Sequence, residues 1–96
     1  MRVRFTSPAE AELAEALDWY AERAPSAVTG FLDELESLTR RLAENPHRFP
    51  IVHREVRRAG FKRFPYGLFF VISATDVEVL ACFHARCAPI HWQHSI

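Results

Sequence analysis

A short alternating segment opens the chain and is followed by two stretches in which apolar residues recur at helical spacing. Val3 and Phe5 alternate with arginines, which predicts a strand. Ser7 is expected to cap a first helix, with Pro8 at its first position and Glu10 closing a capping box. The apolar stripes consist of Ala9, Leu13, Ala16, Leu17 and Tyr20 in the first helix and Val28, Phe31, Leu32, Leu35, Leu38 and Leu42 in the second. Two amphipathic helices joined by so short a link predict an antiparallel hairpin.

The second half of the chain changes to strand patterns. Residues 55–62 predict a basic strand, residues 66–73 a strand rich in aromatic side chains, and residues 77–84 a third strand. Pro65 cannot donate to a sheet ladder, so we place it in the turn before the second of these strands. The predicted order is β-α-α-β-β-β, an α+β fold in which the helical hairpin packs on a small, mostly antiparallel sheet. We expect one domain over residues 1–96.

The last two predicted strands carry apolar residues on both of their faces. If the helices cover one face, then Phe69 and Val71 of one strand and Leu80 and Cys82 of the next are left over on the other. That second face must be covered by the C-terminal tail, by a second copy or by a different protein. A protein partner is favoured because the tail is short and partly polar.

The composition narrows the class of protein. The chain is 49% hydrophobic and 25% charged, which is typical of a globular protein and argues against disorder and coiled coil. No apolar run approaches the roughly 20 residues of a membrane-spanning helix, and the first arginines are not followed by the apolar segment of a secretory signal. Cys82 and Cys87 are too few for a disulfide scaffold or a structural zinc site. We expect a reduced, cytoplasmic protein without a metal or another cofactor.

The formal net charge of zero hides an uneven distribution. Residues 1–45 carry 5 basic and 9 acidic side chains, whereas residues 46–96 carry 7 basic and 3 acidic ones. The basic side chains include Arg57, Arg58, Lys62 and Arg63, which we expect to lie close together near a strand and a turn. A basic cluster of this kind either binds an anionic partner or is simply the solvent-exposed surface of a strand.

One set of residues has types that could carry chemistry, although motifs for nucleotides, metals or nucleophiles are missing from the chain. The set consists of Arg58, Arg63, Tyr66, His84 and Arg86. Metal-independent cleavage of RNA needs a base for the 2′-hydroxyl, cations for the charge on phosphorus and an acid for the leaving oxygen. The same residues could equally form a cationic, aromatic-flanked surface that binds protein. The residue types alone do not choose between these readings.

Several motifs in this order resemble a known family. They are Ser7-Pro8 at a helix start, Asp18-Trp19-Tyr20, Asn45-Pro46 at a helix end, Arg63-Phe64-Pro65-Tyr66 before an apolar strand, and His84-Ala85-Arg86 followed by Pro89 and Trp92. Together they resemble the toxins of type II toxin–antitoxin systems in the RelE/ParE superfamily, and most closely the ParE-like branch. The resemblance covers essentially the whole chain.

The resemblance implies a function as well as a fold. Such toxins are cytoplasmic, arrest growth, serve in plasmid stabilisation, and are neutralised by a small antitoxin whose C-terminal segment wraps around them. They reach operator DNA only through that antitoxin. The RelE branch cleaves mRNA in the ribosome, whereas ParE proteins inhibit DNA gyrase. The implied antitoxin-binding residues are Arg57, Arg58, Lys62, Arg63, Phe69, Val71 and Leu80, and the implied target-binding residues are Arg86 and Trp92.

Two departures from the family pattern bear on the choice of mechanism. The ribonuclease branch places an arginine directly after the aromatic residue that opens the central strand, and here Gly67 follows Tyr66. ParE-like chains often have a second arginine where this one has Cys87. Three hypotheses stay open: a gyrase inhibitor, a ribosome-dependent ribonuclease, and an inactive member retained for antitoxin pairing and autoregulation. The catalytic residues of the ribonuclease would be His84, Arg63, Tyr66 and Arg86.

Overall fold

The computed structural model describes residues 1–86, in which two helices pack on one face of a five-stranded sheet. The elements are β1 (Arg2–Phe5), α1 (Ser7–Arg23), α2 (Ala27–Glu44), a 3-10 turn (Pro46–Arg48), β2 (Ile51–His53), β3 (Val56–Gly60), β4 (Tyr66–Ile72) and β5 (Asp76–His84). The predicted α+β plan is confirmed, and a short strand, β2, is added to it. Neither helix in this part of the chain is both long and apolar enough to span a bilayer.

The sheet has the strand order β1-β5-β4-β3-β2. The first strand runs parallel to β5, and the remaining neighbours are antiparallel. Arg2 and Arg4 of β1 pair with the Asp76 carboxylate at N–O distances of 3.2 and 3.0 Å, and this pairing lowers the pKa of Asp76. Because β1 is short, it accompanies β5 only as far as Val79.

The start of α1 differs from the prediction by one residue. Thr6, not Ser7, is the N-cap, because Thr6 keeps an extended backbone and its hydroxyl oxygen accepts a hydrogen bond from the Ala9 amide at 3.3 Å. The same hydroxyl donates to the Leu80 carbonyl at 3.2 Å. Thr6 therefore connects the start of the helix to β5. The predicted capping box is wrong, because Glu10 lies one residue too far along the chain to close it.

An aromatic cluster centred on Phe31 holds the helices to the sheet. Phe31 is fully buried, stacks on Phe61 with ring centroids 4.8 Å apart, and meets Phe64 edge-on at 5.1 Å. Tyr20 of α1 closes the cluster, 5.7 Å from Phe31 and 5.3 Å from Phe64. These contacts anchor the loop between β3 and β4 to the helical hairpin through Phe61 and Phe64.

A bulge in β5 changes which side chains share a face. Phe69 pairs with Ala81, but the next residue, Phe70, pairs with Val79, so that Leu80 is the extra residue between them. An inserted residue reverses the alternation of side chains along the rest of a strand. Cys82 accordingly packs in the core beneath the helices, so its predicted place on the opposite face is wrong. Burial raises the pKa of the Cys82 thiol to about 12.

Candidate functional site

The sheet face away from the helices carries a second, smaller apolar cluster, which we call the outer face. Its buried members are Val56, Phe69 and Ala81, and its half-buried members are Val71, Leu80 and Phe83. Phe69 lies on this face, as predicted, but it is not left exposed, because only 3% of its surface is accessible. The accessible apolar surface of this face is therefore divided among Val71, Leu80 and Phe83.

Arg58 lies across the outer face in a trough made by two glycines. Its guanidinium carbon is 5.9 Å from the centroid of the Phe69 ring, and Gly60 pairs with Gly67 beside it. A Cβ at position 67 would lie 2.7 Å from Nε and 2.8 Å from Cζ of Arg58, and one at position 60 would lie 2.7 Å from Nη1. Side chains at these positions would push the guanidinium away. The two glycines allow it to lie flat on the sheet.

This guanidinium is half-buried and lacks a carboxylate. Within residues 1–86, Arg58 forms no ion pair. A cation withdrawn from water gains most from a charge-assisted, bidentate partner such as a carboxylate. The sequence interpretation treated Gly67 as a missing cation, whereas the structure places the Arg58 guanidinium against that position.

The other three basic residues of the predicted cluster lie elsewhere. Arg57 is the neighbour of Arg58 in β3 and points to the opposite side, where it donates to the carbonyls of His47 at 3.1 Å and Phe49 at 2.7 Å. Arg63 lies in the loop before β4, with its Nε 3.7 Å from a Glu34 carboxylate oxygen. The prediction that the four cations form one cluster is therefore wrong. Neighbouring residues of a strand cannot share a face.

The Glu34 carboxylate organises the loop that carries Lys62 and Arg63. It accepts hydrogen bonds from the Lys62 amide and, at 3.2 Å, from the Arg63 amide. Both basic side chains remain exposed at the rim of the molecule. The Arg63 side chain is thus directed towards α2, and it does not line the cleft described next.

Tyr66 and His84 come together as a directly opposed pair on β4 and β5. Their ring centroids are 5.1 Å apart, and the His84 Nδ1 accepts a hydrogen bond from the Arg86 amide at 3.0 Å. Because a backbone amide can only donate, a neutral His84 carries its proton on Nε2. Burial raises the pKa of the Tyr66 hydroxyl. The prediction brought these two residues into one set, and the structure makes them neighbours.

The cleft beside this pair, which we call the acidic cleft, has a volume of about 450 Å³. Its lining consists of Glu12, Glu15, Ala16, Trp19, Tyr66, Cys82, Phe83 and His84. A Glu12 carboxylate oxygen accepts a hydrogen bond from the Cys82 amide at 2.9 Å. Burial raises the pKa of Glu12, the Cys82 amide partly offsets this, and the Glu15 charge adds to it. The lining drawn from residues 1–86 contains carboxylates and neither arginine nor lysine.

Glu12, Glu15 and Trp19 were not among the candidate residues, because the two glutamates have the pattern of the solvent-facing side of an amphipathic helix and Trp19 was noted only as part of a family motif. Their i, i+3 and i, i+7 spacing places them on one side of α1, but the sequence does not reveal that β5 continues past the end of β1 beneath them. In the described part of the chain, no three His, Cys, Asp or Glu side chains converge to hold a metal ion. Arg86 is exposed just after β5, and Trp92 lies outside the described residues.

Comparison with known proteins places this architecture in a family. Two solved structures share the fold. The first is a chain of the chromosomal ParDE toxin–antitoxin system from P. aeruginosa, with a TM-score of 0.76, 18% identity, and coverage of 88% of this chain and 95% of that one. The second is a chain of the RelBE2 toxin–antitoxin complex from Mycobacterium tuberculosis, with a TM-score of 0.57, 21% identity, and coverage of 86% of this chain and 95% of that one. Among curated proteins, none matches significantly by sequence.

The family assignment rests on a sequence model rather than on these structural likenesses. The model for the ParE toxin of type II toxin–antitoxin systems, parDE, matches residues 3–89, which is most of the chain. The matched segment runs from β1 to beyond the end of β5 and so includes the outer face and the acidic cleft. The chain belongs to the ParE toxin family of type II toxin–antitoxin systems.

Proposed function

We propose that this toxin acts by binding a protein target, DNA gyrase, and that a small cognate antitoxin neutralises it in the cytoplasm. Membership of the ParE toxin family supports the proposal, as do the structural neighbours, which come from a ParDE system and a RelBE2 toxin–antitoxin complex. The observation that carries the choice of mechanism is the charge of the acidic cleft.

The acidic cleft is poorly suited to cleaving RNA. Attack on a phosphodiester builds negative charge on the phosphoryl oxygens, and removing one stabilising donor from such a site costs on the order of 10²–10³ in rate. Here Glu12 and Glu15 share the cleft with His84, whereas the cation that lies against Gly67, the Arg58 guanidinium, is on the outer face and does not line the cleft. Arg63 is paired with Glu34 instead. Two carboxylates beside the imidazole would repel the phosphate that it had to act on.

We assign antitoxin binding to the outer face. A segment with apolar side chains would cover Val71, Leu80 and Phe83, and an acidic residue in it would pair with Arg58. Lys62 and Arg63 are exposed at the rim, where charges mainly accelerate association. We do not include Arg57 among the antitoxin-binding residues, because its guanidinium already donates hydrogen bonds to the carbonyls of His47 and Phe49.

Target binding is assigned to the region that follows β5. Arg86 is exposed there, and Trp92 lies a few residues further along the sequence. Arginine and tryptophan are over-represented among the residues that dominate binding energy at protein interfaces. An inhibitor that works through such an anchor needs no cation at position 67, so glycine is tolerated there.

The proposal is tested with the purified chain in a gyrase supercoiling assay. We expect the chain to inhibit supercoiling, and equimolar antitoxin to relieve the inhibition. His84→Ala is the matched variant, and it should still inhibit, because binding does not depend on a proton-transfer group. Truncation after Pro89 should remove inhibition while sparing antitoxin binding. A chain that binds antitoxin but leaves gyrase fully active would contradict the proposed target.

A ribosome-dependent ribonuclease is the second candidate, and one observation favours it. The phenol of Tyr66 and the imidazole of His84 are adjacent and accessible from one cleft. A ribonuclease could use the first to stack on a base and the second to move a proton. It would then have to draw every phosphate-stabilising cation from outside the cleft lining, with Arg86 as the nearest candidate in the sequence.

A further inference from the structure

The acidic cleft exists because two neighbouring strands differ in length. The strand β1 ends at Phe5, opposite Val79, whereas β5 continues to His84. Among the described residues, no strand pairs with that edge of β5 beyond Val79. Helix α1 lies across the gap, with its Glu12 carboxylate accepting the amide proton of Cys82. The space left between helix and strand is the cleft.

One wall of the cleft is an aromatic ring held partly in solvent. Trp19 is 47% exposed although it is one of the largest apolar side chains of the molecule. The guanidinium carbon of Arg23 lies 5.0 Å from the centroid of its ring, which shows that this indole accepts a cation. Arg23 does not line the cleft, and its Nη1 is 3.7 Å from Glu22. Tyr66 and His84 supply further ring surface.

No cation among residues 1–86 pairs with the carboxylates of the cleft. Neither Glu12 nor Glu15 forms an ion pair there, and the Glu12 carboxylate accepts a hydrogen bond from the Cys82 amide. Burial raises the pKa of Glu12, the Cys82 amide partly offsets this, and the Glu15 charge adds to it. Since the described lining contains neither arginine nor lysine, no cation in it balances these carboxylates. Aromatic faces together with carboxylates are the combination that recognises an arginine or lysine side chain.

We infer that the acidic cleft receives an arginine or lysine side chain from the antitoxin. The inference deepens the proposed function and rests on it in taking the partner to be the antitoxin. Phe83 connects the two surfaces, because it lines the cleft and also packs against Phe69 on the outer face, with ring centroids 5.4 Å apart. One bound segment could therefore place a carboxylate at Arg58 and a cation in the cleft. Residues 87–96 contain neither arginine nor lysine and cannot supply that cation.

The first experiment uses small probes on the full chain. The probes are the capped peptides acetyl-Gly-Arg-Gly-amide and its neutral isostere with citrulline, followed through the NMR signals of the Trp19 indole and the His84 ring. We expect the arginine peptide to bind about tenfold more tightly, because it adds a cation–π contact and an ion pair. The double variant Glu12→Gln/Glu15→Gln should lose this preference. Asp18→Asn, on the same helix but outside the cleft, should keep it.

The second experiment measures antitoxin binding by the same variants. The double variant should weaken binding by about tenfold, and Asp18→Asn should leave it unchanged. Equal binding of the two peptides, or an antitoxin affinity unchanged by the double variant, would overturn the inference. Two further results for the double variant would also overturn the inference, because each would indicate a different occupant of the cleft. Loss of gyrase inhibition with unchanged antitoxin binding would indicate the target, and loss of self-association in sedimentation would indicate a second copy of the chain. Inhibition of gyrase supercoiling by the unmodified chain is measured separately. A negative result for the cleft would therefore leave gyrase as the proposed target.

Discussion

The outer face and the acidic cleft share residues of β4 and β5 and yet present opposite charges. On the outer face, Arg58 lies over a glycine trough beside a phenylalanine ring. In the acidic cleft, Glu12 and Glu15 lie beside the rings of Trp19 and Tyr66. Both combine an uncompensated charge with aromatic surface. A formal net charge of zero therefore conceals two local sites of opposite sign.

The two surfaces differ in what holds the charged group in place. The guanidinium on the outer face is positioned by residues of the sheet itself, through the pairing of Gly60 with Gly67. The carboxylate of Glu12 in the cleft is positioned by α1 and by the hydrogen bond that it accepts from the Cys82 amide of β5. Variants at Gly60 and Gly67 should therefore affect the outer face alone, and variants at Glu12 the cleft alone.

The largest effect is expected from removing the cation of the outer face. Arg58→Met keeps an apolar stem over Phe69 and deletes the charge, so antitoxin binding should weaken by on the order of 10²-fold, measured by calorimetry. The antitoxin carboxylate that met Arg58 would be left unpaired in the complex. Arg58→Lys should recover part of the loss, because a lysine offers a point charge rather than a planar fork.

The matched control for that variant is Arg40→Met on α2. Arg40 is exposed and makes a weak ion pair with Glu36 at 3.6 Å, so its loss should change antitoxin binding little. If Arg58→Met and Arg40→Met bound the antitoxin with equal affinity, Arg58 would not be the anchor that the outer face provides.

A smaller effect is expected from filling the trough. Gly67→Ala places a Cβ 2.7–2.8 Å from the guanidinium of Arg58 and should displace it, which we expect to weaken antitoxin binding about tenfold. Gly30→Ala is the control, because its Cβ meets atoms no closer than 3.7 Å. That change in the interior of α2 should raise stability by about 0.5–1 kcal/mol in urea denaturation and leave binding intact. If the Gly67→Ala variant bound the antitoxin with the same affinity as the Gly30→Ala variant, the two glycines would not be needed to position Arg58 for binding.

The cleft is expected to respond to pH. Because burial raises the pKa of Glu12 above its ordinary value of 4.5, the folded chain holds this proton to higher pH than the unfolded chain does. Stability from this group is thus lost as pH rises from 4.5 through the raised value. Glu12→Gln keeps an acceptor for the Cys82 amide without the charge, and should be more stable at neutral pH by roughly 0.5 kcal/mol.

That difference should vanish well below pH 4.5, where the wild-type carboxyl is also neutral. Urea denaturation at both pH values measures it, with Asp18→Asn as the control of equal charge. A Glu12→Gln variant that is less stable at neutral pH and equal to wild type at low pH would reverse the predicted sign.

The smallest effect concerns Cys82. Its thiol is 3% exposed, and burial raises its pKa to about 12, so the reactive thiolate is scarce at neutral pH. In a Cys87→Ser background, the folded chain should resist alkylation by iodoacetamide, and the urea-unfolded chain should react fully. Rapid labelling of the folded chain, followed by mass spectrometry, would place Cys82 on the outer face after all.

The order of helices and strands could be predicted because most of them show their own hydrophobic periodicity. Which face of the sheet each side chain occupies could be predicted only in part. Alternation in residues 77–84 assumes an unbroken strand, and the bulge at Leu80 moves Cys82 to the other side. Successive side chains of a strand point to opposite faces, and this alternation separates Arg57 from Arg58, although both were placed in one basic cluster because of their charge. Thr6 became the cap because the sheet holds its backbone extended, a tertiary constraint invisible to local sequence.

The candidate residues were partly recoverable from sequence. Tyr66 and His84 were placed in one set because of their residue types, and the pairing of β4 with β5 is what makes them neighbours. The acidic cleft could not be predicted, since it depends on where β1 ends relative to β5. Gly67 was noticed as a departure from a family pattern, but its contact with Arg58 requires the cross-strand register.

The most direct test of the central claim, that this toxin binds a protein rather than cutting RNA, is to map mRNA 5′ ends in cells after induced expression. We expect growth arrest with DNA damage and filamentation, while mRNA in translating ribosomes stays uncut, because the cleft beside His84 is lined by carboxylates. Codon-specific cuts that disappear in a His84→Ala variant, made at the same level of expression, would contradict it and establish the ribonuclease.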